Sequence, residues 1–363
     1  MNIYDHFFIC RAKSGEKRIF VSSKSISVPP DVKKTFFISF FLLLSFVKGT
    51  QAQVSDSTQV SDTTRFSLPG GPHNYANTRC PVSPVKKRVI IVSAANISLW
   101  TASFIVLNKS WYADYPRSSF HFFNDNAEWN QVDKAGHLWT NYLVTRLSYE
   151  MWKWTGLPEK KALILGGISG VAYQSIIEIQ DGFSKEWGFS WGDMAFNVAG
   201  AAAFVTQELS WIDQRIQVKL SYWPYDYPTD LVPRRNQLFG NSTNERILKD
   251  YNSQTYWASA NLYSFFKQSS IPKWLNVAVG YRADGMYGGR KNTWTDKNGS
   301  YIDRTDIRRM RRFYLSPDVD LTKIKTKSGL LKTVFYVLNM VRVPAPALEL
   351  NSAGKLQFHF VKF

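Results

Sequence analysis

Three stretches of the chain set acidic, imidazole and amide side chains at helical spacing. Asp133 and His137 stand four apart, so on a helix both point to one side, and Thr140 and Asn141 continue that stripe. Lys134 falls at the edge of the stripe, about 100° round the helix. Gln174 and Glu178 are again four apart, and Ser190, Asp193, Asn197 and Gly200 lie on one line. Unpaired charges are expensive to bury, so polar lines on otherwise apolar or small-residue helices are expected to face one another. Two readings follow. One is a satisfied network that ties three helices together. The other is a working site, in which His137 and Asp133, with Glu178 and Asp193 opposite, form a general acid-base set. The same oxygen-rich residues, with Asp181 as a further ligand, suit a divalent cation. Three carboxylates around one imidazole leave excess negative charge, which a cation or a shared proton would complete. The identity of the metal is not specified by this pattern, which is neither HExxH nor CxxC, and no GxSxG, phosphate loop or EF-hand pattern accompanies it. His121 and Asp125 form a second pair four apart, but a His in an aromatic loop reads as structural.

The elements that must position these residues are helices. Residues 133–154, 159–179 and 190–211 read as three of them, with Gly156, Leu157 and Pro158 as a break and Asp181-Gly182 as a turn. Gly166, Gly167, Gly170 and the Ala-rich stretch after Ala199 are small faces for close helix approach. Ahead of them, residues 89–107 carry no charge over about one bilayer-spanning length, and Trp111, Tyr112 and Tyr115 follow in the manner of an interfacial belt. A bundle of about four helices over 86–212 is expected, in contact with a membrane rather than an ordinary soluble core. After residue 213 the period changes to two. Residues 215–223, 256–265, 275–281, 312–321 and 356–363 alternate as strands, too few for a closed transmembrane barrel. Residues 329–341 read as an amphipathic helix ended by Pro344 and Pro346. The fold class expected is therefore α+β, a helical bundle followed by a β-rich region over 213–363.

The beginning of the chain gives the compartment. Lys33-Lys34 precede a 13-residue apolar run, and small residues at Thr50 and Ala52 follow it. This is the layout of a secretory leader over 1–52, with cleavage expected after Ala52. A Ser-, Thr-, Asp- and Pro-rich linker over 53–85 comes next. Cys80 is then the one cysteine left, so no internal disulfide is expected. Net charge is +17, and loss of the eight basic and three acidic residues of the leader leaves +12. Such a surface suits anionic lipid, and Arg308, Arg309, Arg311 and Arg312 are its densest cluster. Export makes nucleic acid an unsuitable partner. Lys323, Lys325 and Lys327, spaced by two, are expected on one strand face.

Residues 124–129, the DKAGH of 133–137 and the segment IEIQDGFSKEWGFSWGDMAFNVAGA of 177–201 resemble the YfiM-like family of predicted periplasmic lipoproteins, a domain of unknown function. The later KDYNSQTYWAS of 249–259 is similar to the long form of that family in Bacteroidota. The pattern D-K-x-x-H, then E, then S-x-x-D-x-x-x-N is also distantly similar to VanZ-like membrane proteins. The resemblance implies an envelope location and a helical core with Asp133, Lys134, His137, Glu178, Asp193 and Asn197 at motif positions. It implies no reaction. No anchoring Cys stands directly after the leader, which departs from the lipoprotein label. The function expected is a membrane-associated envelope protein with a structural or binding role. The alternative is an envelope hydrolase or transferase acting on a lipid or cell-wall precursor through the Asp/His/Glu cluster.

Overall fold

The structure, a computed structural model, describes residues 85–363 apart from 109–111 and 113–114. The leader, its cleavage site, the linker up to residue 84, Cys80 and Trp111 lie outside the described residues. The fold is α+β. Helices α1 (Lys86–Leu107), α2 (Val132–Trp154), α3 (Glu159–Gly182) and α4 (Trp191–Trp211) come first. Strand β1 (Ile216–Tyr222) is followed by the short helices α5 (Val232–Phe239) and α6 (Thr243–Lys249). Then come β2 (Gln254–Asn261), a one-turn α7 (Leu262–Phe265), β3 (Leu275–Asp284), β4 (Thr293–Thr295), β5 (Tyr301–Asp303), β6 (Met310–Val319), α8 (Gly329–Leu338), β7 (Ala345–Asn351) and β8 (Leu356–Lys362).

Helix α2 packs against both α3 and α4. Glycines set the approach. A Cβ on Gly170 would meet Thr145 and Asn141, and one on Gly200 would meet the carbonyl of Leu138. Tyr142, Tyr149, Trp152, Leu163 and Phe204 fill the apolar end of the bundle. Helix α4 starts where the Ser190 hydroxyl accepts from Asp193 N at 3.1 Å, an N-cap that places a carboxylate in the first turn. Helix α1 is attached loosely: Val92 and Asn96 are its buried residues, while Ile90, Ile97 and Ile105 stand in the open. Tyr112 and Tyr115 close edge-on over Trp187, at 5.5 and 4.7 Å.

Six strands form one antiparallel sheet in the order β1-β2-β3-β6-β7-β8. It joins the bundle through a shared core of Val132, Tyr256, Ala283 and Met286, against which Trp139 and Leu220 pack. Two details depart from the expectation. Residues 345–351 pair between β6 and β8 although Pro344 and Pro346 flank their start. The register shift between Ala345 and Ala347 absorbs Pro346, which has no N–H to give to the ladder. Lys323, Lys325 and Lys327 are not on a strand but in a 3₁₀ turn and the loop after it, and Lys323 pairs with Asp213 at 2.6 Å.

Candidate functional site

Asp133, His137, Glu178 and Asp193 come together between α2, α3 and the start of α4. His137 Nε2 stands 3.8 Å from Asp133 Oδ1 and 3.5 Å from Asp193 Oδ1. On its other side, Nδ1 is 3.1 Å from Asn197 Oδ1 and 3.5 Å from Glu178 Oε1. Asn197 Oδ1 also accepts from Gln174 Nε2 at 3.3 Å. An amide oxygen only accepts, so with both amides in this orientation Nδ1 is the ring nitrogen that carries a proton. Ser190 completes the set twice, its N–H donating to Glu178 Oε2 at 3.4 Å and its hydroxyl to Asp125 Oδ1 at 2.6 Å.

Three placements correct or extend the sequence reading. Lys134 is not at the rim. It is 2% exposed and lies at the centre, with Nζ 2.6 Å from Asp193 Oδ1, 2.7 Å from Asp125 Oδ1 and 3.4 Å from Asp133 Oδ2. Asp125, read from sequence with His121, joins the cluster, whereas His121 turns to Ser118 and the Ser119 carbonyl. Asp181 sits apart from the other carboxylates and accepts from Tyr112 OH at 2.6 Å. Tyr251, which no spacing singled out, donates to Asp133 Oδ1 at 2.7 Å and packs against the core shared by sheet and bundle. The four arginines expected to form a basic surface are divided. Arg309 donates to the carbonyls of Gly288 and Gly289, and Arg312 turns inward to Asp284 and Glu349. Arg308 is the exposed one.

The electrostatics follow from burial. Glu178 is fully buried, and loss of water, together with the charges of Asp193 and Asp181, pushes its carboxyl up to about 10. Burial and the neighbouring Asp133 charge push Asp193 above its ordinary value, against the pull of Lys134. Asp181 is pushed up to about 7, again by burial first. Lys134 is held above its ordinary value because the pull of Asp133 and Asp193 outweighs desolvation. Asn197 Nδ2, Gln174 Oε1 and Glu178 Oε1 are buried without a hydrogen-bond partner. Such groups are costly unless something else satisfies them.

The backbone at the start of α2 is strained. Trp129, Asn130 and Gln131 adopt φ of 46°, 49° and 62°, three consecutive side-chain-bearing residues in the left-handed region. Tertiary contacts hold them: Trp129 N donates to Gly289 O at 2.7 Å, the Tyr281 hydroxyl donates to Asn130 O, and Gln131 Nε2 donates to Asn126 O at 2.7 Å. Asp133 and Lys134 follow directly. One ligand atom from each of Asp133, His137 and Asp193 lies within 4.8 Å of the others, a set that a metal ion could bridge.

No curated protein and no solved structure matches the chain. Residues 121–208, which hold the acidic and basic members of this cluster, match the family model DUF2279, described as predicted periplasmic lipoprotein, in agreement with the envelope location expected from the leader.

Proposed function

We propose that the chain is a membrane-associated envelope protein whose helical bundle binds a divalent cation between Asp133, His137 and Asp193, with Glu178 beside them. One observation carries this reading. His137 sets Nδ1 against Asn197 Oδ1 and Nε2 against two carboxylate oxygens at 3.5 and 3.8 Å, so that protonation on Nδ1 alone turns the Nε2 lone pair toward both. Three acceptors converging on one point repel unless a proton or a cation lies between them. The contact of Nδ1 with Asn197 is the kind of outer hydrogen bond that orients a ligating imidazole. Glu178 Oε1, buried without a hydrogen bond, lies on the Nδ1 side of the same imidazole, 3.5 Å away. His137 and Asp133 keep 15% and 18% exposure, an opening that suits an ion rather than a lipid chain. Shallow surface depressions lie elsewhere, around 264–269 and on the sheet face. No specific observation favours the hydrolase alternative. Membrane association is supported by α1, 22 apolar-rich residues of which Val92 and Asn96 alone are buried. Helix α3 is of similar length but is a bundle helix, with Gln174, Glu178 and Gln180 turned inward.

Native mass spectrometry of the detergent-extracted protein, titrated with Zn²⁺, Mn²⁺ or Mg²⁺, tests the site. One bound ion is expected, lost in Asp193→Asn and in His137→Gln and kept in Asp181→Asn. An ion-free protein whose His137 gives the ¹⁵N signature of an imidazolium at neutral pH would show a structural network instead.

A further inference from the structure

The six-stranded sheet is inverted relative to the sheet of a soluble protein. On its concave side Lys219 and Asp318 pair at 2.7 Å with both side chains fully buried. Arg312 joins Asp284 and Glu349 at 2.6 and 2.5 Å, and His359 contacts Glu349 at 2.8 Å. Trp257, Ala278, Tyr314 and Ala347 pack among these charges. The sheet curls around them. Lys219 on β1 reaches Asp318 on β6, and Trp223, just past β1, stacks on Phe363, just past β8, at 4.3 Å. On the convex side the register aligns Val279, Leu315, Leu348 and Phe358 across β3, β6, β7 and β8. Their exposures are 56%, 52%, 40% and 55%. A second row, Tyr281, Phe313, Leu350 and Leu356, runs beside the first. Helix α2 covers the adjoining part of the same face through Tyr256 and Leu220, and Tyr281 packs against that core, while the rest of the two rows stays bare.

We propose that this bare convex face rests in the hydrocarbon of one leaflet of an envelope membrane. The inference is independent of the cation site and deepens the membrane reading by naming a second surface and the chemistry it meets. Apolar-out, polar-in alternation is what hydrocarbon selects, because water no longer competes for the outward positions. Phe313, Leu315 and Pro317, all exposed, span about 13 Å at ~3.3 Å per residue, close to half of the roughly 30 Å hydrocarbon core. The outer edge of β8 has no strand partner among the described residues, and a free edge cannot lie deep in lipid. Both facts limit immersion to one leaflet. Lys273 and Trp274 precede β3 at one end of the rows, and Arg311 and Lys355 lie at the other, a composition suited to the headgroup region. A shallow apolar trough along Val277, Leu315, Pro317, Pro346, Leu348 and Phe358 can take an acyl chain. A convex face meets a second copy of itself along a line, whereas fluid lipid conforms to it.

The test places an environment-sensitive fluorophore at Leu315→Cys or Leu348→Cys in the full chain with Cys10→Ser and Cys80→Ser, reconstituted with phosphatidylethanolamine vesicles. Emission is expected to move to shorter wavelength and to be quenched by acyl-chain-brominated lipid, while a probe at Asp303→Cys does neither. Leu315→Asp combined with Leu348→Asp should weaken vesicle binding roughly tenfold or more. Unshifted sheet probes overturn the inference. If a probe at Ile97→Cys on α1 shifts while they do not, membrane association stands and the sheet face has no part in it. A shift in lipid-free buffer that tracks protein concentration, with a dimer mass by light scattering, assigns the face to a second copy and likewise overturns it.

Discussion

At the residue scale, Glu178 is the group on which burial acts most plainly. Its carboxyl is pushed up to about 10, whereas in the unfolded chain it titrates near the ordinary glutamate value of about 4.3. Between those limits the folded state holds a proton that the unfolded state has lost, so stability falls as pH rises through that window. The slope from this group is at most about 1.4 kcal/mol per pH unit. Glu178→Gln keeps the shape and removes the titration. Urea midpoints of the cation-free protein should fall with pH in the wild type and less steeply in the variant, and parallel curves would contradict the assignment. Lys134 gives a second prediction. Lys134→Met strips the counter-charge from Asp125 and Asp193, leaving buried charge unpaired, and should cost about 3–5 kcal/mol. Adding Asp193→Asn should return part of that loss in a double-mutant cycle. Strict additivity of the two changes would mean that the ion pair carries no coupling.

At the element scale, the left-handed run before α2 is the device that sets Asp133 and Lys134 in place. Asn130 at φ 49° is tolerable for Asn or Gly but not for a β-branched residue. Asn130→Val should lower stability by about 1–2 kcal/mol and weaken cation binding with it, while Asn130→Gly changes melting little. Equal melting temperatures for both variants would show that the turn is not strained. This run was not legible in the sequence, because of its three residues only Asn130 favours the left-handed region; the tertiary contacts to Gly289 and Tyr281 hold it. The helices themselves were legible, since the period that sets Asp133 beside His137 and Asp193 beside Asn197 is local. The same period put Lys134 at the edge of its stripe, yet its long stem carries the ammonium between Asp125 and Asp193. Asp125 and Tyr251 reach the cluster through long-range folding, which spacing does not record. Strand β7 was hidden by its prolines, because a bulge that accommodates Pro346 depends on the neighbouring strands.

At the scale of the whole molecule, helices and sheet share one pattern. Buried polar and charged side chains outnumber buried apolar ones among the described residues, and large apolar side chains stand exposed on α1, α3, α4 and the convex sheet face. A protein that met water on all sides would lose hydrophobic stabilisation by this arrangement, whereas one in contact with lipid does not. Helix α1 allows the pattern to be tested without disturbing the core. Ile90, Ile97 and Ile105 are 67%, 61% and 47% exposed, and the buried α1 residues Val92 and Asn96 are left alone. Changing all three isoleucines to Asn should move thermal stability little, since exposed substitutions away from packed features usually stay within about 0.5 kcal/mol each. The same change should release the protein from the membrane fraction on a high-salt wash, or leave it held by the sheet face alone with weaker retention. Fractionation and melting curves of one preparation read both effects. A large fall in melting temperature with unchanged retention would mean that α1 is a core helix docked on the bundle, and the lipid would then have to be met elsewhere on the surface.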